Sequence, residues 1–225
     1  MSAEDRRRPI PQREAGWARA AARRLAERGI APNRISQASL AAAALAGLAL
    51  ALAPGLGGGL RAGLLVLAAA LILLRLLCNM FDGMVAVEGG KGTADGPFWN
   101  EVPDRAADLA VLVGCGIGAG VPALGWAAGA MALGTAYVRA FGEALGQPPD
   151  FSGPMAKPQR MWAVIAAALA AAAEPLWGGQ GEALRLALWA VALGAGFTAL
   201  RRGRRLLTRL ARAGQPAPLS REDST

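Results

Sequence analysis

The sequence predicts an all-α membrane protein that crosses the bilayer six times and has an amphipathic helix before its first span. Hydrophobic residues make up 54% of the 225 residues and come in long blocks, which is the composition of a polytopic membrane protein. Six blocks are each near the ~20 residues that a helix needs to cross a bilayer. We predict spans at about residues 36–54, 60–87, 104–122, 124–145, 160–177 and 183–200.

A basic segment, residues 1–34, precedes the first span. Within it, residues 12–28 predict an interfacial helix, because apolar residues such as Trp17 share one face while arginines occupy the rest. A plain solvated helix is the alternative. The first span then has a helix-start signal, in which Asn33 or Ser36 is the predicted N-cap.

The distribution of lysine and arginine predicts the orientation in the membrane. Basic residues concentrate at the two ends of the chain and near the connections after the second and fourth spans, whereas the opposite side has only Arg61 and Arg185. By the positive-inside rule, both termini face the cytoplasm of a bacterial-type inner (plasma) membrane. This divides the chain into the basic segment of residues 1–34, a membrane domain of residues 35–202 and a basic cytoplasmic tail of residues 203–225.

The composition excludes several classes of site and partner. The chain has no histidine, so it has neither a histidine-based catalytic triad nor a histidine-ligated metal. Cys78 and Cys115 both lie in apolar blocks, which indicates neither a disulfide framework nor a zinc site. The net charge of +8 lies beside long apolar blocks, so we attribute it to an anionic membrane face and expect no nucleic-acid partner.

Small residues spaced four apart predict close helix packing in the third and fourth spans. The pairs are Gly114 with Gly118, Gly116 with Gly120, and Gly125 with Gly129. Because glycine has no side chain, helix backbones can approach closely at such positions.

Polar residues form two stripes where the second and third spans meet the cytoplasmic side. Read as helix, the first stripe comprises Asn79, Asp82, Gly83 and Ala86, and the second comprises Gly96, Asn100, Asp104 and Asp108. Two oxygen-bearing stripes joined by a short glycine-rich turn suit a hard divalent cation that also holds phosphates. We predict Mg²⁺ or Mn²⁺ at a site formed by Asn79, Asp82, Asn100 and Asp104.

Three small residues in these stripes are candidates for nucleotide binding. They are Gly83, Ala86 and Gly96. A nucleotide would have to approach the helix backbones closely at these positions. Helix packing is the alternative explanation for them.

The stretch of residues 79–104 resembles the signature of the CDP-alcohol phosphatidyltransferase family of membrane phospholipid synthases. That family's pattern is D-x2-D-G-x2-A-R-x8–12-G-x3-D-x3-D. The matching residues are Asp82, Gly83, Ala86, Gly96 and Asp104, with a gap of eight residues before Gly96 that is inside the family's range. Residues 31–33 and 137–160 also resemble segments of the family, so the resemblance covers most of the chain.

The chain departs from the family pattern around the predicted metal site. Asn79 and Asn100 stand where the family has its first and third aspartates, Val87 replaces the arginine, and Pro103 precedes the last aspartate. Asparagine keeps a carbonyl oxygen for a metal but loses the charge, so we expect weaker metal binding or one ion instead of two. Four nearby acids are candidates to restore the charge: Glu88, Asp95, Glu101 and Asp108.

The resemblance implies an enzyme of phospholipid biosynthesis. It would transfer a phosphatidyl (substituted phosphate) group from a CDP-linked lipid donor, such as CDP-diacylglycerol, to an alcohol acceptor and release CMP. A divalent cation would bridge the pyrophosphate, and Asp104 matches the family position of the catalytic base. A homodimer in the lipid bilayer is implied in the same way. The alternative is a non-catalytic relative that binds lipid-nucleotide or acts as an assembly protein, which the two asparagines motivate.

Three basic residues near the cytoplasmic ends of the fourth and fifth spans are candidates for acceptor binding. They are Arg139, Lys157 and Arg160. Their guanidinium and ammonium groups suit a phosphate on the acceptor, and the resemblance implies the same role. Ordinary positive-inside charge is the alternative.

Arg75 and Asp108 are predicted to form an ion pair directly beneath the site. Arg75 lies one turn before Asn79 in the second span, and Asp108 lies one turn beyond Asp104 in the antiparallel third span. A charge inside a span is expensive unless it is paired. The pair would therefore fix the register of the two spans; the alternative is that Arg75 pairs with another acid or reaches water.

Overall fold

The computed structural model describes residues 15–88, 90, 93–179 and 181–213. The described residues form α1 (Gly16–Glu27), α2 (Pro32–Leu52), α3 (Gly58–Glu88), α4 (Gly96–Gly118), α5 (Pro122–Ala144), α6 (Lys157–Ala173) and α7 (Glu182–Ala213). Short 3-10 turns, Ala53–Gly55 and Glu174–Leu176, follow α2 and α6. No strand occurs in this part of the chain, so the predicted all-α class is confirmed.

In the described part of the chain, three helical segments are long and apolar enough to cross a membrane. They are Pro32–Gly55, Gly58–Val87 and Glu182–Arg212, which contain the first, second and sixth predicted spans. Helices α4, α5 and α6 lie near the other three predicted spans, but α6 has only 17 residues, fewer than the ~20 that a membrane crossing needs. Six crossings and the cytoplasmic location of the termini therefore stay predictions.

Helix α1 packs against the C-terminal half of α3. Ala18 and Ala22, one turn apart, are fully buried and belong to an apolar cluster with Met84 of α3. The Trp17 ring lies edge-on to Phe81, with 6.2 Å between the ring centroids. The buried face is thus centred on the two alanines. The placement of α1 at a membrane interface stays a prediction, and residues 1–14 lie outside the described residues.

The predicted N-cap of the first span is wrong. Helix α2 begins at Pro32, and its N-cap is Ala31, because proline is favoured in the first helical position, where its missing N–H costs nothing. Asn33 and Ser36 therefore lie inside the first turns of α2. The side chain of Asn33 donates to Asp95, just before α4, and that of Ser36 donates to Asp82 of α3.

Glycines allow α2, α4 and α5 to pack backbone against backbone, as the small-residue pairs predicted. A Cβ atom on Gly114 would overlap the carbonyl oxygen of Gly47 in α2. In the α4–α5 contact, a Cβ atom on Gly116 would lie 2.7 Å from the Cα of Gly125. Gly120 differs from the prediction, because it follows α4 with a φ of +70° and has open space around it. It serves the turn rather than the packing.

Glu174 holds together the end of the bundle where α3 begins. Its carboxylate accepts hydrogen bonds from the backbone N–H groups of Gly181, at 2.7 Å, and Ala183, at 3.0 Å. Nη2 of Arg61 lies 2.9 Å from the same carboxylate. Arg185 donates to the carbonyl oxygen of Ala119 at 2.9 Å. Arg61 and Arg185, the two basic residues predicted to lie opposite the cytoplasmic side, therefore both bind groups of the protein itself.

Helix α7 does not end at the predicted boundary between the membrane domain and the tail. It continues through Gly203 to Ala213, and residues 214–225 lie outside the described part. The buried Arg202 donates to the carbonyl oxygens of Ser152 and Thr135, both at 2.9 Å. The basic end of α7 is thus attached to α5 and to the connection between α5 and α6.

We expect Gly114→Ala to destabilise the bundle by about 1–3 kcal/mol, because overpacking a close helix contact forces backbones apart. The matched control is Gly63→Ala in α3, where a Cβ atom meets nothing within 4 Å. That control should be neutral or gain about 0.5–1 kcal/mol from the helix preference of alanine. Thermal unfolding in detergent compares the two, and equal melting temperatures would contradict the packing assignment.

Candidate functional site

Asn79 of α3 and Asp104 of α4 meet at the centre of the site. The Asn79 Nδ2 donates to Oδ1 of Asp104 at 2.9 Å, and the Ser39 hydroxyl donates to Oδ1 of Asn79 at 2.7 Å. A carboxylate can only accept hydrogen bonds, so the amide must turn its nitrogen toward Asp104. The amide oxygen of Asn79 therefore faces α2 and not Asp104.

Asp82 lies close to this pair and is almost fully buried. Its Oδ2 accepts a hydrogen bond from the Ser36 hydroxyl at 2.8 Å, and its Oδ1 accepts the N–H of Gly83. It lies within electrostatic range of Asp104 and Lys157. Two predicted metal-site residues on α3 thus each bind a serine of α2.

Lys157, the first residue of α6, forms an ion pair with Asp104 that the sequence did not predict. Its ammonium group contacts Oδ2 of Asp104, and the two side chains are 22% and 13% exposed. Nη2 of Arg75 lies 3.7 Å from Oδ1 of the same carboxylate. Asp104 therefore faces an amide donor, an ammonium group and a guanidinium group at once.

The predicted ion pair of Arg75 with Asp108 is present, and Arg160 extends it to a third helix. Nη2 of Arg75 and Nη2 of Arg160 each lie 2.6 Å from a different oxygen of Asp108. All three side chains are buried. We call Arg75, Asp108 and Arg160 the buried triad. It joins α3, α4 and α6 directly beneath Asp104.

The structure does not bring the three predicted acceptor-binding residues together. Arg160 is buried on Asp108 and also donates to the carbonyl oxygen of Met155 at 3.1 Å. Arg139 lies 2.7 Å from the carboxylate of Glu101, and its guanidinium carbon is 5.3 Å from the centroid of the Phe151 ring. Only Lys157 reaches Asp104. Arg160 thus belongs to the protein interior rather than to an open acceptor site.

The remaining small and polar residues of the predicted site lie near the C-terminal end of α3 and the N-terminal end of α4. Gly83 and Ala86 are half-buried in α3, Gly96 is the half-buried first residue of α4, and Asn100 is exposed in its second turn. A Cβ atom on Gly96 would contact only the Thr93 hydroxyl, at 3.6 Å. Gly96 therefore has room beside it and is not required for close helix packing.

Three of the four nearby acids already have partners of their own. Glu101 pairs with Arg139 and Arg105, and Asp108 belongs to the buried triad. Asp95 accepts a hydrogen bond from Nδ2 of Asn33 at 3.2 Å and one from Trp99 at 3.0 Å. A hydrogen bond from Thr93 is the largest cause of the lowered pKa of Asp95. The side chain of Glu88 lies outside the described residues.

These residues fit a divalent cation poorly. Among the described residues, no three aspartates, glutamates, cysteines or histidines lie together as a possible ligand group. Of the four predicted ligands, Asp82 and Asp104 alone are charged, and Asp104 is bound by Lys157. A hard divalent cation prefers several oxygen ligands, and its affinity rises with their charge. Two carboxylates, one of them held by Lys157, are a poor ligand set for such an ion.

Sequence reasoning missed the part that Ser36 and Ser39 play in the site, and it missed the ion pair of Lys157 with Asp104. The two serines were detectable, because they lie three residues apart in a largely apolar helix and so face the same direction. No local pattern identified the partner of Lys157. It lies 53 residues from Asp104 in the chain, and only the packing of α6 brings the two together.

We expect Asp108→Asn to lower the free energy of unfolding by about 3–5 kcal/mol, because it leaves two buried guanidinium groups without a counter-charge. The control is Glu143→Gln, which makes the same chemical change on an exposed acid of α5 whose contact with Arg139 is 3.8 Å long. The control should stay within about 0.5 kcal/mol of the unchanged protein. If the two variants unfold alike in detergent, the buried triad does not hold the helices together.

The fold matches three solved structures of the phosphatidylinositol phosphate synthase of Mycobacterium tuberculosis. The structure with CDP-DAG bound has a TM-score of 0.70 and 23% identity, covering 86% of this chain and 95% of that chain. The structure with manganese and citrate has a TM-score of 0.69 and 23% identity, covering 85% and 89%. The apo structure has a TM-score of 0.66 and 23% identity, covering 84% and 95%.

The sequence by itself gives no such match. No family profile matches the chain, and no curated protein sequence matches it. The chain therefore has the fold of a CDP-alcohol phosphatidyltransferase, the family that its sequence motif resembles.

Proposed function

We propose that the chain transfers a phosphatidyl (substituted phosphate) group from a CDP-linked lipid to an alcohol acceptor and releases CMP. The observation that carries the proposal is the fold match to a synthase solved with CDP-DAG bound, over 86% of this chain. The matching motif residues support it, because they lie where α3 and α4 meet. The protein would act in the inner membrane with both termini in the cytoplasm, as a homodimer.

The nucleotide of the donor would lie beside the small residues at the cytoplasmic ends of α3 and α4. Gly83 and Ala86 leave part of the α3 backbone accessible, and Gly96 has open space beside it. A planar base and its ribose can approach a helix backbone only where side chains are this small. The three residues would therefore bind the nucleotide.

Lys157 would bind the phosphates of the donor or the acceptor. Its side chain is partly exposed, and ammonium groups bind phosphate through charge-assisted hydrogen bonds. Arg139 lies on α5, and Glu101 and the Phe151 ring orient it. It would bind a phosphate on the acceptor. Arg160 would act indirectly by holding Asp108.

Asp104 would accept the proton of the attacking hydroxyl group. When an incoming phosphate draws Lys157 away, the Oδ2 atom of Asp104 is free to accept this proton. The acceptor oxygen then forms a bond to the phosphorus of the phosphatidyl group, and the bond from that phosphorus to the oxygen of CMP breaks. A carboxylate is the available base, since the chain has no histidine. The proton ends on Asp104 and the negative charge leaves with CMP.

One observation favours a second candidate function, in which the chain binds the nucleotide-linked lipid without turning it over. Asn79 and Asn100 stand where the resembled family has carboxylates, and Lys157 neutralises Asp104. While Lys157 holds it, the carboxylate of Asp104 is not available to take a proton from an alcohol. A protein with this fold that only binds or presents a lipid is consistent with these contacts.

We expect the purified protein in detergent to release CMP from CDP-diacylglycerol when the correct alcohol is present. Asp104→Asn should lower the rate by about 10²–10⁴-fold, the usual contribution of a general base. The control Glu27→Gln makes the same change on an exposed acid of α1 and should keep the full rate. A panel of free and phosphorylated alcohols, each with Mg²⁺, Mn²⁺ or EDTA, covers the acceptor and the cation.

CMP release that survives Asp104→Asn would contradict the role of Asp104 as the base. Retained binding of CDP-diacylglycerol, with no CMP from any alcohol or cation, would favour the second candidate. A protein that neither binds the donor nor releases CMP would contradict both.

A further inference from the structure

We propose that the ammonium group of Lys157 takes the place of a divalent cation in this chain, so that the site binds the pyrophosphate of a nucleotide-linked lipid without a metal. The identity of the ligand rests on the proposed function. The weak affinity for a metal that we expect does not rest on that function, because it follows from the charges and contacts of the chain itself.

The charges of the site are already balanced without a metal. The central charge cluster comprises the buried triad and the three ionisable side chains above it: Arg75, Asp82, Asp104, Asp108, Lys157 and Arg160. Its three positive and three negative formal charges cancel. A divalent cation would add two positive charges to a neutral cluster whose side chains are mostly buried, where charge is poorly solvated. Without Lys157 the same cluster would have a net negative charge.

The side-chain atoms of Asn79 and Asp104 are oriented against a shared metal ion. The amide of Asn79 points its nitrogen at Asp104 and its oxygen at Ser39. A metal needs lone pairs, so an N–H group directed at the neighbouring carboxylate works against a shared ion. The carboxylate of Asp104 already accepts from this amide and from Lys157. A cation between α3 and α4 would have to displace both donors.

Lys157 can move, whereas the buried side chains of Arg75 and Arg160 cannot. Its side chain is 22% exposed, whereas the side chains of Arg75 and Arg160 are 0% and 2% exposed and bind Asp108. Lysine is also a compact charge on a flexible stem and binds phosphate as a point charge. The ammonium group of Lys157 can therefore leave Asp104 and bind a pyrophosphate while the buried triad stays in place. This exchange gives the ligand the counter-charge that a metal would otherwise supply.

Manganese binding tests the proposal without reference to activity. The aqueous Mn²⁺ signal in electron paramagnetic resonance is titrated with the full-length protein in detergent. We compare the unchanged chain with the triple variant N79D/N100D/K157M, which restores two carboxylates and removes the ammonium group. We expect the triple variant to bind Mn²⁺ at least about tenfold more tightly, because ligand charge sets the affinity. Stoichiometric binding to the unchanged chain that Asp82→Asn abolishes would overturn the proposal, and so would equally weak binding to both.

Donor binding tests the role of Lys157. Binding of labelled CDP-diacylglycerol to the unchanged chain should be the same within about threefold in EDTA and in Mn²⁺. Lys157→Met should weaken it by about tenfold or more, which is the value of one charge-assisted hydrogen bond. Lys157→Arg should retain it, and Arg205→Met removes a cation at a distance, in the α7 contact with Asp150, as the matched control. Melting temperatures verify that each variant is folded.

The outcomes separate this inference from the proposed function. Donor binding that requires Mn²⁺ overturns the metal-free site and leaves the proposed function standing. Equal loss of binding in Lys157→Met and Arg205→Met overturns the specific role of Lys157. Absence of donor binding under every condition overturns the proposed function and, with it, the ligand assigned here.

Discussion

The buried carboxylate of Asp108, held between the guanidinium groups of Arg75 and Arg160, is the interaction on which the site depends. The three side chains come from α4, α3 and α6, and each would be an uncompensated charge in the interior without the others. A small shift of any one helix would therefore break a contact at 2.6 Å. The triad thus sets the relative height of three helices.

Each residue at the centre of the site lies one helical turn from a member of the triad. Asn79 follows Arg75 by four residues, Asp104 precedes Asp108 by four, and Lys157 precedes Arg160 by three. Residues three or four apart lie on the same face of a helix. The register that pairs the triad therefore brings Asn79, Asp104 and Lys157 together one turn above it. The Asn79–Asp104 hydrogen bond and the Lys157–Asp104 ion pair thus lie one helical turn above the buried triad.

The glycines of α2 and α4 complete the site from the other side. The backbone contact of Gly47 with Gly114 draws α2 close to the bundle, and α2 also packs along α3. At that distance the short side chains of Ser36 and Ser39 reach Asp82 and Asn79. The glycine contact thus affects the site from a distance. A bulkier residue there would keep the serine hydroxyl groups of α2 away from Asp82 and Asn79.

The sequence predicted the helices and the motif well because their signals are local. The Arg75–Asp108 pair followed from helical spacing on two adjacent antiparallel helices. The N-cap of α2 was wrong, because Pro32 starts the helix before either polar candidate. The structure differs most from expectation at Arg160 and Lys157. Nothing in the local sequence tells which basic residue of α6 turns inward, since that depends on how α6 packs against α3 and α7.

Asn79 and Lys157 contact the two oxygens of the Asp104 carboxylate. An aspartate at position 79 would place a second carboxylate at the 2.9 Å contact with Asp104, and two carboxylates this close cannot both ionise without a cation or a shared proton between them. Asparagine removes that conflict by donating its N–H, and the ammonium group of Lys157 supplies the remaining positive charge. In the metal-free site that we propose, these two contacts together satisfy the Asp104 carboxylate. The glycine contacts and the buried triad position the helices of this chain. They do so whether an ammonium group or a metal ion neutralises Asp104, so a metal-free site is compatible with a fold shared at 23% identity.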